Sequence, residues 1–223
     1  MERLLQKFQD LKVSKSTVYN FERFDWVHKW ECTDMNFRTN CVFLDESTFH
    51  INLKRSMAWS KKRLPAVVTV PKTRVQTTTI LGAIAASGLI KCSLGLPQPP
   101  AKKRKREGYV ELTSTGAVTG HYFSFLKATI DEMDQYPYMT GHYLIMDNAP
   151  IHKSEGTAKY IISRGYRYAY LPSYCPELNP IEQFWSVVKS KVKRNRLLEK
   201  ETLMTTISEA SNSLKASDFK GFV

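Results

Sequence analysis

The sequence predicts an α/β domain, a sheet covered by helices, and three observations carry that reading. CVFLDES at 41–47 and HYLIMDN at 142–148 are continuous apolar runs of strand length, as suits strands buried on both faces. The region that follows the first run is rich in β-branched and alternating segments, the mark of a strand meander. Further along, helical periodicity alternates with strands, which gives the order β-β-β-α-β-α-β-α.

Residues 1 to about 40 are polar and helix-prone. Within them VSKSTVYN at 13–20 has the look of the second half of a helix-turn-helix, with Ser16 or Thr17 capping a short recognition helix. An N-terminal helical arm packed on the main domain is the other reading of this segment. The main domain spans 41–200 and opens with the strand CVFLD, closed by Asp45. FHINL at 49–53 alternates, AVVTV at 66–70 is β-branched, and TTTILGAIAASGLI at 77–90 reads as one long strand or two joined at Gly82. Within residues 93–116, SLGLPQPPAKKRKREG combines three prolines, two glycines and the basic run Lys102 to Arg106, which predicts an inserted surface loop.

TGHYFSFLKATIDEMDQY then places Tyr122, Phe125, Leu126, Thr129, Ile130 and Met133 on one helical face. HYLIMDN is the next buried strand, followed by a helix over roughly 154–164 that stops at Gly165. YRYAYLP makes a further strand and PIEQFWSVVKSKVKR a strong helix, with a helical tail over 201–223.

A formal charge of +12 on 223 residues favours a polyanionic partner, and the excess survives removal of the five-residue basic run. No stretch approaches the roughly 20 apolar residues of a membrane span. MERLLQKFQDLK lacks the apolar core of a secretory signal. Cys32, Cys41, Cys92 and Cys175 form no CxxC pair, so reduced thiols of an intracellular protein are expected and a zinc site is not.

Two aspartates, Asp45 and Asp147, close apolar strands, and Glu182 opens a helix. Side chains at the carboxyl ends of adjacent parallel strands gather at one edge of a sheet, within reach of a shared metal. A lone aspartate at such a place more often starts an Asx turn. Glu182 also has a structural reading, because Asn179, Pro180 and Glu182 suit the N-cap, first and third positions of a capping box. Against it, Glu182 heads a stripe with Ser186, Lys189, Lys193 and Arg196, a quarter-turn from the apolar stripe Ile181, Phe184, Trp185, Val188 and Val192. A carboxylate at the head of a basic stripe suits metal at a phosphate, with Lys189, Lys193 and Arg196 along the flanking DNA backbone. Three carboxylates are what two hard divalent cations about 3.5–4 Å apart require, Mg²⁺ by preference and Mn²⁺ as substitute.

LDEST, MDNAPIH and YCPELNPIEQFWSVVKSKVKR resemble, in order, three motifs of the DDE catalytic domain of Tc1/mariner-type (IS630-like) transposases, and 34 residues separate Asp147 from Glu182. The resemblance implies an RNase H-like fold, a mixed five-stranded sheet flanked by helices. It makes Asp45, Asp147 and Glu182 the metal-binding catalytic triad and places Asn148 and His152 beside it. The implied reaction is hydrolytic nicking at transposon ends followed by strand transfer into double-stranded DNA. WSKKRLPAVVTVPKTR resembles the family's tryptophan-containing hairpin, in which Trp59 packs.

Departures from the family are Cys175, where serine is usual, and Arg63, near a common glycine. The paired helix-turn-helix modules of such transposases are represented only by VSKSTVYN, so the expectation is an N-terminally truncated copy that lacks specific end recognition. Lys102, Lys103, Arg104, Lys105 and Arg106 resemble a nuclear import signal and predict a nuclear protein that engages an import receptor. A homodimer is the expected assembly. The rival readings are a catalytically inactive nuclear DNA-binding remnant and a nuclease acting on RNA–DNA hybrids.

Overall fold

β-branched and apolar residues between Cys41 and Leu94 build three strands, β1 (Cys41–His50), β2 (Thr77–Ala85) and β3 (Gly88–Leu94). The structure is a computed structural model and describes residues 15–50, 60–65, 77–94, 115–150, 152–173, 175–193 and 200–222. AVVTV, Trp59, the run Lys102 to Arg106 and Arg196 lie outside the described residues.

Two further strands, β4 (Tyr143–Met146) and β5 (Arg167–Tyr170), complete a five-stranded sheet of order β3-β2-β1-β4-β5. β1, β2 and β3 pair antiparallel, whereas β1, β4 and β5 run parallel, so the sheet is mixed. The helices are α1 (Lys15–Glu31), α2 (Thr115–Met133), α3 (Glu155–Ser163), α4 (Pro180–Val192), α5 (Lys200–Asn212) and α6 (Ala216–Phe222). No described helix is long and apolar enough to cross a membrane.

Alternation along β1 feeds two cores. Phe43 and Phe49 join Ile145, Ile181, Phe184, Trp185 and Val188 on one face, while Val42 and Leu44 join Leu126, Ile130 and Met146 on the other. All six residues assigned to the inner face of α2 are buried, as are the five on the apolar stripe of α4. Ile207, Ala210 and Phe219 bring α5 and α6 onto the α4 side of the sheet. α3 starts at Ser154, whose hydroxyl accepts from the Thr157 amide, and stops before Gly165 at φ 79°.

Three expectations are corrected. CVFLD does not end a strand, because β1 runs on through Phe49 to His50 and absorbs the start of FHINL. The break in TTTILGAIAASGLI falls at Ala86–Ser87, where Gly88 takes φ 144°, and not at Gly82. Gly82 lies inside β2 for another reason: a Cβ there would stand 2.5 Å from the Trp185 ring. Lastly, Ser16 and Thr17 sit within α1 and do not cap it.

That 17-residue helix lies along the β5 side of the sheet. At its middle Arg23 pairs with Glu177, and further on Trp26 Nε1 donates to the Tyr170 carbonyl at 2.7 Å. Near its end the Trp30 ring meets Tyr143 edge-on. Asp34 beyond it accepts from Arg167 at 2.6 Å and from the Tyr143 hydroxyl at 2.7 Å.

Candidate metal centre at two strand ends

The parallel pairing of β1 with β4 ends at Leu44 opposite Met146. Asp45 and Asp147 are the next residues on these adjacent strands, so they leave the same end of the sheet side by side. Asp45 stands there although β1 continues, since β1 goes on paired only with β2. Glu182 arrives from the first turn of α4, the helix whose Ile181, Phe184 and Trp185 pack beneath it on the sheet.

Asp45 is buried, and its Oδ2 is among the buried side-chain atoms that have no hydrogen-bond partner. Burial, and after it the negative charges of Glu182, Glu46 and Asp147, push its carboxyl up to about 8. Their charges reach it because Glu182, Glu46 and Asp147 surround the same strand end. Its cross-strand partner is Gly82, and the Trp185 ring occupies the space where a side chain at Gly82 would stand.

Asp147 is half-exposed and held through one oxygen. Its Oδ1 lies 2.6 Å from His152 Nδ1 and accepts the Ala149 amide at 3.0 Å. The second contact is an Asx turn, so the structural role foreseen for a lone aspartate is present alongside the convergence. Burial opposes ionisation of Asp147, but the hydrogen bond and charge of His152 outweigh it and hold the carboxyl below its usual value. His152 itself is fully buried, and burial alone would strip its proton. The carboxylates of Asp147 and Glu46 prevail and push it up to about 9, so a buried imidazolium sits beneath the site.

Glu182 is exposed, and the capping box is not formed. The Asn179 side chain makes no cap hydrogen bond and its Oδ1 is buried without a partner, while the backbone N–H of Asn179 donates to the Pro176 carbonyl. Asn148 donates weakly to Ser173 Oγ at 3.4 Å. Lys189 is half-buried with its ammonium 5.6 Å from the Phe49 ring centre, and Lys193 is exposed one turn further on. Cys175 leads into the short turn Pro176–Leu178 without a side-chain cap bond. The four cysteines are free.

As they stand, no three His, Cys, Asp or Glu side chains among the described residues are close enough together to hold an ion. Asp147 is turned toward His152 instead, which is where carboxylates crowded at one strand end go for a positive charge. The donor set nevertheless fits a hard divalent cation: oxygen ligands only, one of them a buried carboxylate oxygen with no partner.

Sequence reasoning missed Glu46, and its position held the signal. Neighbouring residues of a strand face opposite sides, so an acid next to Asp45 had to serve the other face of the sheet.

Residues 104–204 match the family model for the DDE superfamily endonuclease. That match covers a little under half of the chain. The chain has the RNase H-like architecture and is similar in fold to solved structures of Mos1. The "Mos1 transposase paired-end complex with left transposon end" has a TM-score of 0.67 at 14% identity, with 100% of this chain and 65% of that one covered. The "mariner Mos1 paired end complex with Mg" gives 0.68 at 15%, with 95% and 59% covered. The "catalytic domain of Mos1 mariner transposase" gives 0.59 at 12%, with 95% and 89% covered. At these identities the likeness is one of fold. The chain spans less than two thirds of the length of the Mos1 chains in the paired-end complexes. No curated protein matches the sequence.

Proposed function

We propose that this chain acts as the catalytic domain of a DNA transposase, cleaving DNA strands with divalent metal and joining them to a target. One observation carries the reading: Asp45 and Asp147 stand one residue beyond the last parallel pair of β1 and β4, with the charge of Glu182 bearing on Asp45. The family match and the mariner transposase fold support it.

Asp45, Asp147 and Glu182 would hold Mg²⁺ or Mn²⁺, which when bound activates the attacking oxygen and stabilises the leaving one. Asp45 supplies a buried wall to the site, Asp147 offers the oxygen that His152 leaves free, and exposed Glu182 closes the solvent side. Lys189 and Lys193 follow Glu182 along α4 and would bind the phosphates next to the scissile bond. The basic run Lys102 to Arg106 would direct the protein to the nucleus through an import receptor, and two copies would pair on DNA ends.

The test is nicking of duplex DNA by the purified chain in Mg²⁺ or Mn²⁺, beside Asp147→Asn and Glu182→Gln variants. Metal-dependent nicking by the wild type, abolished in both variants with their thermal midpoints kept, is the expected result. Binding of DNA without cleavage by all three proteins would instead support the inactive DNA-binding remnant. Preferential cutting of RNA–DNA hybrids would favour the other nuclease reading.

A further inference from the structure

Asp45 and Glu46 are consecutive residues of β1 and therefore address opposite faces of the sheet. Asp45 faces α4 and Glu182. Glu46 faces α2, where its Oε1 stands 3.2 Å from His152 Nε2, and the other ring nitrogen reaches Asp147 Oδ1 at 2.6 Å. The chain of contacts is thus Glu46, His152, Asp147, and it ties β1 to the loop after β4 beneath the candidate metal ligands. Both outer groups are carboxylates that only accept, so each ring nitrogen must carry a hydrogen.

The imidazole is fixed from every other side. Its ring lies tilted against Tyr122 at 4.2 Å between centres, and its backbone carbonyl accepts from the Tyr170 hydroxyl at 2.9 Å. The Tyr122 hydroxyl is buried close to the same acids without a partner of its own. Such a clamp leaves Asp147 Oδ1 one orientation and turns its second oxygen out of the clamp.

We propose that Glu46 is a positioning residue for the metal site, acting through His152 to set the orientation of the Asp147 carboxylate. The inference rests on the metal-binding reading above. Removing the outer member of such a chain lets the inner ligand swing, which weakens metal binding by about 10- to 100-fold in comparable sites. Glu46 is partly exposed, so its replacement spares the core, whereas a change at fully buried His152 would not.

The experiment is calorimetric titration of Mn²⁺ into the full chain as wild type, Asp147→Asn, Glu46→Ala and Glu46→Gln, with the metal-free thermal midpoint of each. We expect saturable binding by the wild type and its loss in Asp147→Asn. Glu46→Ala should bind about tenfold more weakly, with a lowered metal-free midpoint because the buried His152 N–H loses its acceptor. Glu46→Gln keeps an acceptor for His152 and should stay within about threefold of wild type. Wild-type binding with Glu46→Ala inside twofold of it would overturn the positioning role and leave the metal reading standing. A Glu46→Gln variant as weak as Glu46→Ala would also overturn it, since the loss would then follow charge and not the hydrogen bond. No saturable binding by the wild type would overturn the metal reading, and this inference with it.

Discussion

Asp34 shows how a single exposed carboxylate organises the end of the sheet away from the acids. Hydrogen bonds from Arg167 and from the Tyr143 hydroxyl hold it down to about 2. Because the folded value lies below the unfolded one, its contribution is complete above about pH 4 and is lost as pH falls through about 2. The denaturation midpoints of wild type and Asp34→Asn should therefore differ at pH 6 and converge by about pH 2. A gap that persists at pH 2 would assign the effect to packing. Among the acids at the other end, Asp45, Asp147 and Glu182 were legible because each punctuates an apolar pattern. The contact of Glu46 with His152 was not, since the partners lie 106 positions apart and only the folded sheet joins them. His152 was placed beside the triad only by the resemblance of its motif, which says nothing of its partner on β1.

At the scale of elements, period and punctuation located the helices and strands, and errors gathered where tertiary pairing outweighs local pattern. β1 outlasts its apolar run because β2 pairs with it over nine positions, from Val42 to His50. The turn Lys61–Leu64 gives the opposite case, a local rule broken openly. Leu64 donates to the Lys61 carbonyl at 2.9 Å, and Arg63 takes φ 73° at the third position, where a type II turn favours glycine. A left-handed conformation costs an L-residue about 1–2 kcal/mol, and glycine returns part of this through its freer unfolded chain. Arg63→Gly should thus raise stability by about 1 kcal/mol, read as a higher urea midpoint with unchanged slope. A lower midpoint would mean that the Arg63 side chain makes contacts worth more than the strain.

For the whole molecule, charge is the property sequence states most directly and folding alters least. Neutralising Lys102 to Arg106 in a fluorescent fusion should redistribute it from nucleus to cytoplasm, and unchanged nuclear accumulation would refute the import signal. The path of α1 was less legible, because a polar helix reveals its docking face only through scattered aromatics such as Trp26 and Trp30. The same separation of chemistry from support applies to Gly82. It carries no group that could bind anything, yet Trp185 sits where its side chain would be, directly across the strand from Asp45 and one turn along α4 from Glu182. Any larger residue there would lift the helix and open the gap between two acids that themselves remain unchanged. A lineage of such chains could thus fall silent with every acid of the triad still in place, and a roster of the reactive residues would give no warning of it.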